Sequence, residues 1–86
     1  MKSTYYDQIR VAALSLGNME EDINIYTIED YFIDRDYRRR PDRNQIRKTL
    51  MYLDIVEENG KTTVKVNGKK AYNITNYRLK KSLNMN

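Results

Sequence analysis

The chain contains neither cysteine nor histidine, and these two absences exclude several kinds of functional site. Without cysteine there is no disulfide and no thiolate metal site. Without histidine the chain lacks the commonest general base and the usual zinc ligand. The sequence also has no glycine-rich phosphate loop and no recognisable nucleophile motif. We therefore expect a protein that is not an enzyme and that uses no cofactor, no metal and no small-molecule substrate.

Long apolar segments are missing as well. No run approaches the roughly 20 apolar residues that a membrane span needs, and the first residues lack the apolar core of a signal peptide. The sequence therefore predicts a cytoplasmic protein that does not associate with membranes. Its 86 residues suffice for a single domain over 1–86, in which we expect 1–3 and 82–86 to be frayed.

Acidic and basic residues are unevenly distributed around the net charge of +4. Residues 1–34 carry two basic and seven acidic side chains, whereas residues 61–86 carry seven basic side chains and no acidic one. This asymmetry favours an anionic partner that approaches from one side. The alternative is a solvated surface with a basic tail, and charge alone does not separate these two interpretations.

Apolar residues at helical spacing predict a first helix near the N-terminus: Tyr5, Ile9, Ala12 and Leu16. Ser3 or Thr4 can cap this helix, and Gly17 can take the left-handed conformation that ends it. The alternation over residues 23–26 then suggests a short strand. After it, Thr27-Ile28-Glu29-Asp30 has the form of a capping box and predicts a brief second helix from about Ile28 to Arg35.

A third helix, over residues 41–54, is predicted to have one apolar and one polar face. Pro41 suits the first helical position, where its missing N–H costs nothing. At about 100° per residue, Leu50 and Leu53 lie within about 40° of Ile46, which makes a narrow apolar face. The polar side chains lie about 100–160° from Ile46 on the same scale: Asn44, Arg47 and Lys48.

Basic residues cluster immediately before this helix and along it: Arg35, Arg38, Arg39, Arg40, Arg43, Arg47 and Lys48. A cationic surface on a helix that a core holds in place is typical of nucleic-acid-binding proteins. The alternative interpretation is a charged surface that keeps a small domain soluble. Tyr37 and Tyr52 flank the basic helix and are candidates for stacking on unpaired bases.

The remaining third of the chain is predicted to form β-structure. Asn59-Gly60 and Asn67-Gly68 are both signals of tight type I′ hairpin turns, and apolar residues alternate with polar ones between them. Two turns eight residues apart allow a three-stranded meander. A single long hairpin with an irregular tip is equally compatible, and the sequence leaves both arrangements open.

This order of elements resembles the winged helix-turn-helix family, a mainly helical α+β fold, over about residues 4–80. Residues 46–57 carry the resemblance most clearly, with apolar spacings of four and three followed by a strand that opens on Ile55-Val56. Tyr77-Arg78-Leu79 resembles the strand that closes the wing. One departure is Asp54-Ile55, which stands where the family often has a glycine before the first wing strand.

The resemblance implies a sequence-specific double-stranded DNA-binding protein, a small transcriptional regulator, with helix 41–54 in the major groove and hairpin 59–72 on the backbone. It places four residues at the groove: Arg43, Asn44, Arg47 and Lys48. It places three on the wing: Lys65, Lys69 and Lys70. The charge pattern adds three arginines that can grip phosphates just before the helix: Arg38, Arg39 and Arg40.

Partners beyond DNA follow from the small size of the chain. A single module offers about 600–1,000 Å² of contact, so we expect a homodimer or a further protein partner to support tight specific binding. A second hypothesis is a winged-helix protein-interaction module, or an inhibitor encoded by a mobile element, without DNA-binding activity, because a fold does not determine a function.

Overall fold

The structure, a computed structural model, describes residues 5–66 and 70–81. Three helices are followed by a two-stranded antiparallel sheet, which makes an α+β fold: α1 (Tyr6–Asn18), α2 (Ile25–Asp34), α3 (Arg43–Tyr52), β1 (Val56–Val66) and β2 (Lys70–Leu79). The predicted cap at Ser3 or Thr4, the Asn67-Gly68 turn, Lys69 and the frayed ends lie outside the described residues. Within those residues, no helix has the length and apolar character needed to cross a membrane.

The core forms where the three helices pack against the base of the hairpin. Six of its largest side chains are almost completely buried: Ile9, Ile23, Ile28, Phe32, Ile46 and Leu50. The hairpin contributes Val56 and Leu79, and Ile55 precedes it. The apolar faces predicted for the first and third helices are confirmed, since Ile9, Ala12 and Leu16 on α1 are buried together with Ile46 and Leu50 on α3.

The expectation that Gly17 ends the first helix is wrong. Gly17 lies inside α1, and the left-handed residue is Glu20, with φ of 59°. The N–H of Glu20 donates to the carbonyl of Gly17 at 3.0 Å, and the N–H of Glu21 donates to that of Leu16 at 2.9 Å. This pair of bonds is the Schellman motif. Gly17 serves packing instead, because a Cβ there would lie 2.5 Å from Leu79 Cδ1.

The second helix begins earlier than predicted, and the short strand predicted over residues 23–26 is absent. Asn24 is the N-cap of α2, and its side-chain oxygen accepts from the N–H groups of Tyr26 and Thr27 at 2.9 Å each. Thr27 closes the capping box by accepting from the N–H of Asn24. Only Ile23 pairs with the sheet, through a bridge in which the N–H of Tyr77 donates to its carbonyl at 2.7 Å.

The third helix is shorter than the predicted 41–54. Asp42 is its N-cap, with a carboxylate oxygen accepting from the N–H of Gln45 at 2.8 Å, and α3 runs from Arg43 to Tyr52. Pro41 lies buried just outside the helix rather than in its first position. The cap explains where α3 begins. The carboxylate of Asp42 satisfies an N–H group of the first turn, and the side chain of Pro41 has no atom that could do so.

The β-segment forms one long hairpin, not a meander. The strands pair from Val56 opposite Leu79 to Val66 opposite Lys70, which corrects the predicted bounds of 59–72. Asn59-Gly60 makes no turn. It forms a bulge between the pairs Glu58–Tyr77 and Lys61–Thr75, where Gly60 has φ of 76°. A glycine is required there because other residues rarely adopt that conformation.

Gly17→Ala should lower stability although alanine favours helices. A glycine in an exposed helix interior costs about 1 kcal/mol relative to alanine. At this position the new methyl group would overlap Leu79, which is 7% exposed, so we expect a net loss of about 1–3 kcal/mol in the free energy of unfolding. Urea denaturation measures this loss. When Gly17→Ala is combined with Leu79→Ala, the loss of stability should be smaller than the sum of the losses of the two single variants. A gain in stability for Gly17→Ala alone would contradict the packing described.

Asn24→Ala should be the most costly cap substitution in the chain. It removes the cap of α2, worth about 1 kcal/mol, and leaves a buried Asn76 oxygen without its partner, worth about 1–3 kcal/mol. Asn24→Ser restores a capping oxygen and should recover only the part of the lost stability that belongs to the cap. Asp42→Ala is the matched control, because Asp42 caps α3 at an exposed position. Equal losses for the two alanine variants in thermal denaturation would refute this assignment.

Candidate nucleic-acid interface

The basic turn between α2 and α3 is held by the end of α2. Asp36 adopts φ of 55°, and the N–H of Tyr37 donates to the carbonyl of Phe32 at 3.2 Å. The ring of Tyr37 packs on Phe32, with ring centroids 5.0 Å apart. The next three residues are exposed: Arg38, Arg39 and Arg40. The left-handed turn therefore anchors one side of the segment in the core and directs its arginines to solvent.

The exposed side of α3 also carries basic residues. Ile46 and Leu50 are buried, and Leu53 just beyond the helix is buried too. Asn44, Arg47 and Lys48 are exposed, as the helical periodicity predicts. The helix is thus fixed by one face and presents its polar face to solvent, next to the turn that carries Arg38, Arg39 and Arg40.

Arg43 is held against α2 rather than directed away from the protein. Its Nε and Nη2 donate to the two carboxylate oxygens of Glu29 at 3.2 Å each, a bidentate pair. The guanidinium also lies over the ring of Tyr26, 4.8 Å from the centroid. The hydrogen bond to Glu29 is the main cause of a raised pKa for Arg43. Glu29 thus neutralises part of the predicted basic cluster.

Asn44 and Arg47 form a connected pair one helical turn apart. Nη2 of Arg47 donates to Oδ1 of Asn44 at 2.8 Å. Nη1 of Arg47 points at the sulfur of Met51 at 3.7 Å. These contacts keep the guanidinium alongside the axis of α3, between its first turn and its last.

A groove of about 330 Å³ separates α3 from the hairpin. Arg47 and Met51 line it from the helix, and Glu58, Ile74 and Tyr77 line it from the strands. Burial raises the pKa of the Tyr77 hydroxyl, and the nearby Glu58 carboxylate raises it further, while Arg47 lowers it. Sequence reasoning missed Glu58 and Tyr77. Glu58 and Tyr77 are brought together by the register of the two strands next to the bulge, and that register is not evident from the sequence.

The wing lysines are the least defined part of the predicted site. Lys65 is exposed on β1 opposite Ala71, and Lys70 lies on β2 opposite Val66. Lys69 lies outside the described residues. The structure therefore leaves the arginines of the turn and the polar side chains of α3 exposed, and it places Lys65 on the distal half of the hairpin.

The two tyrosines that flank the basic helix differ in whether they are exposed enough to stack on a base. Tyr37 is half-buried against Phe32, so the expectation that it stacks on unpaired bases does not fit its position. Tyr52 is 77% exposed at the end of α3 and remains available for stacking. Arg35 lies over the ring of Tyr31, 3.6 Å from its centroid, a cation–π contact at the end of α2.

One solved structure resembles this fold. It is a proposed nucleic-acid-binding protein from an uncultured marine organism, 14% identical in sequence, with a TM-score of 0.68 over 96% of this chain and 89% of that one. At that identity the likeness shows a shared fold. No protein-family profile and no curated protein matches the sequence.

The raised pKa of Tyr77 predicts a pH dependence of stability. A tyrosine whose folded-state pKa exceeds the usual value of about 10 stabilises the fold below that pH, and this contribution is lost as the pH rises through the folded-state pKa. Tyr77→Phe should therefore lose less stability than the unaltered protein between pH 9 and pH 11, as measured by urea denaturation. Parallel pH profiles for the two proteins would show that the Tyr77 hydroxyl has no such effect.

Proposed function

We propose that this chain binds double-stranded DNA as a winged helix-turn-helix protein and acts as a small transcriptional regulator. In this proposal α3 enters the major groove and the distal hairpin follows the backbone. The observation that carries it is the division of α3, with Ile46 and Leu50 buried and Asn44, Arg47 and Lys48 exposed. Three exposed arginines precede the helix in the chain. A helix anchored on one face can present the other to base edges without distortion.

The arrangement also supplies the two kinds of contact that specific binding needs. The turn with Arg38, Arg39 and Arg40 offers positive charge that suits phosphates, which set position and affinity. Arg47 and Asn44 offer hydrogen bonds that suit base edges, which set specificity. The similar fold of a protein proposed to bind nucleic acid agrees with this assignment.

The acidic loop that follows α1 would disfavour the approach of DNA there. The exposed loop Glu20-Glu21-Asp22 lies beside Arg78 and Lys81 at a second groove, of about 280 Å³. This loop would repel phosphate, while the turn before α3 would attract it.

Homodimerisation belongs to the proposal as well. Val11 on α1 is 51% exposed and would suit a self-contact.

A protein-interaction module without DNA binding is the second candidate. Met51 and Tyr52, at the end of α3, are 54% and 77% exposed. Methionine and tyrosine are frequent in the buried centres of protein interfaces. A pull-down that retains a protein after nuclease treatment, with no affinity of the purified chain for any duplex, would favour this candidate over the first.

Salt dependence tests the proposal directly. Fluorescence anisotropy on a mixed-sequence duplex should show affinity that falls with salt, with a log–log slope near −0.9 for each phosphate neutralised. Changing Arg38, Arg39 and Arg40 together to alanine should weaken binding to all sequences and flatten the slope by up to about 3. Arg78→Ala is the matched control, since Arg78 pairs with Glu57 at 2.8 Å on the base of the hairpin.

Two outcomes of this experiment would reject the proposal. One is the absence of binding to any duplex at low salt. The other is equal weakening by Arg78→Ala and by the triple substitution in the turn. An RNA duplex measured in parallel tests the groove assignment, because the narrow major groove of A-form RNA does not admit a helix. Equal affinity for both duplexes would exclude α3 as the element in the groove.

A further inference from the structure

The exposed face of α3 has lost most of its hydrogen-bond acceptors to internal contacts. Asn44 carries one amide oxygen, and Nη2 of Arg47 donates to it at 2.8 Å. Gln45 also carries one amide oxygen, and the N–H of Asp42 donates to it at 2.9 Å. Arginine and lysine have no acceptor at all. What these side chains still offer to a partner is therefore mainly N–H groups.

We define the donor face of α3 as Asn44, Arg47 and Lys48. The amide nitrogen of Asn44 supplies two N–H groups, the ammonium of Lys48 supplies three, and the guanidinium of Arg47 has five in total. The second lone pair of the Asn44 oxygen remains, but a cation lies against that oxygen and disfavours a second donor there. Asp42 keeps a carboxylate at the start of the helix, one turn or more from Arg47.

Arg43 does not extend this face. Its Nε and Nη2 each donate to Glu29 at 3.2 Å, and its guanidinium lies over the ring of Tyr26. These contacts orient the guanidinium toward α2. The donor face is therefore confined to one turn of the helix, from Asn44 to Lys48.

The edges of the four base pairs differ in what they offer to such a face. In the major groove guanine presents two acceptors, N7 and O6. Adenine presents one acceptor and one donor, and thymine presents one acceptor and a methyl group. An asparagine recognises adenine by accepting from N6 while donating to N7, which needs the oxygen that Arg47 holds.

The length of the donor face sets how many bases it can meet. Four residues of α-helix advance about 6 Å, at about 1.5 Å per residue. Successive bases on one strand lie about 3.4 Å apart. The donor face therefore spans two to three neighbouring bases on one strand.

We infer that the donor face of α3 selects duplexes with two or three consecutive guanines on one strand, because every group it offers there needs an acceptor. The inference rests on the proposed binding of duplex DNA by α3. The inference identifies guanine runs as the class of target that the protein prefers over adenine–thymine tracts. It also changes the role of Asn44, which supports Arg47 and donates to guanine instead of recognising adenine.

The test is competition binding with matched duplexes that differ only at a central triplet. Three guanines should compete roughly 5- to 100-fold better than three adenines, the range expected for one lost bidentate contact. Replacing the guanines by 7-deazaguanine removes N7 and preserves base pairing, and it should abolish most of that advantage. Replacing the paired cytosines by 5-methylcytosine leaves the guanine acceptors unchanged and provides the control for modified duplexes.

Two variants test the two kinds of donor on this face, and the first of them keeps the charge. Arg47→Lys keeps the charge but loses the planar fork, so it should reduce the preference for guanine while leaving the salt slope unchanged. Asn44→Asp replaces the donor amide with an acceptor and should reduce the preference further. Arg78→Lys is the matched control away from α3 and should leave the preference intact.

The outcomes distinguish this inference from the function on which it rests. If the protein binds duplexes but treats guanine and adenine triplets alike, or prefers adenine, the inference is overturned and duplex binding stands. Insensitivity to 7-deazaguanine would likewise overturn it. If the protein binds no duplex at all, the proposed function fails and the inference fails with it.

Discussion

A buried hydrogen bond between two asparagine side chains joins the helices to the hairpin. The side-chain nitrogen of Asn24 donates to the side-chain oxygen of Asn76 at 2.9 Å, and both residues are buried. Asn24 begins α2, and Asn76 lies opposite the bulge in the hairpin. Next to this contact, Tyr77 bonds to the carbonyl of Ile23. Together with the packing of Val56 and Leu79 on the helices, these two adjacent residues set the position of the hairpin and the groove that separates it from α3.

The charges of the basic region are not equally available. Glu29 holds Arg43, and the ring of Tyr31 holds Arg35, whereas the exposed arginines of the turn and the donor face of α3 extend into solvent. A count of basic residues in the sequence overstates the charge offered to a partner. Which arginines remain available is decided by which acidic and aromatic side chains α2 presents on its neighbouring face.

The sequence predicted α3 well and its surroundings less well, for physical reasons. The burial of Ile46 and Leu50 follows from helical periodicity, which is a local property. The start of α2 was misplaced because residues 23–26 alternate like a strand, while the capping oxygen of Asn24 outweighed that pattern. Gly17 was assigned to the end of a helix and Gly60 to a hairpin turn, because glycine is permissive in both places. Their actual roles, close packing and a bulge, depend on Leu79 and on strand register.

The bulge at Gly60 divides the hairpin into two parts that differ in how they pack on the core. Below it the strands pack on the core through Val56 and Leu79, and above it Thr62, Val64 and Ile74 are only half-buried. From Lys61 to Val66 the upper part extends about 17 Å at about 3.3 Å per residue. A rotation of about 10° at the bulge would therefore shift the backbone of Val66 by about 3 Å. A small change of angle at the bulge is thus amplified along the strands, on the far side from the packing of Val56 and Leu79 on the helices.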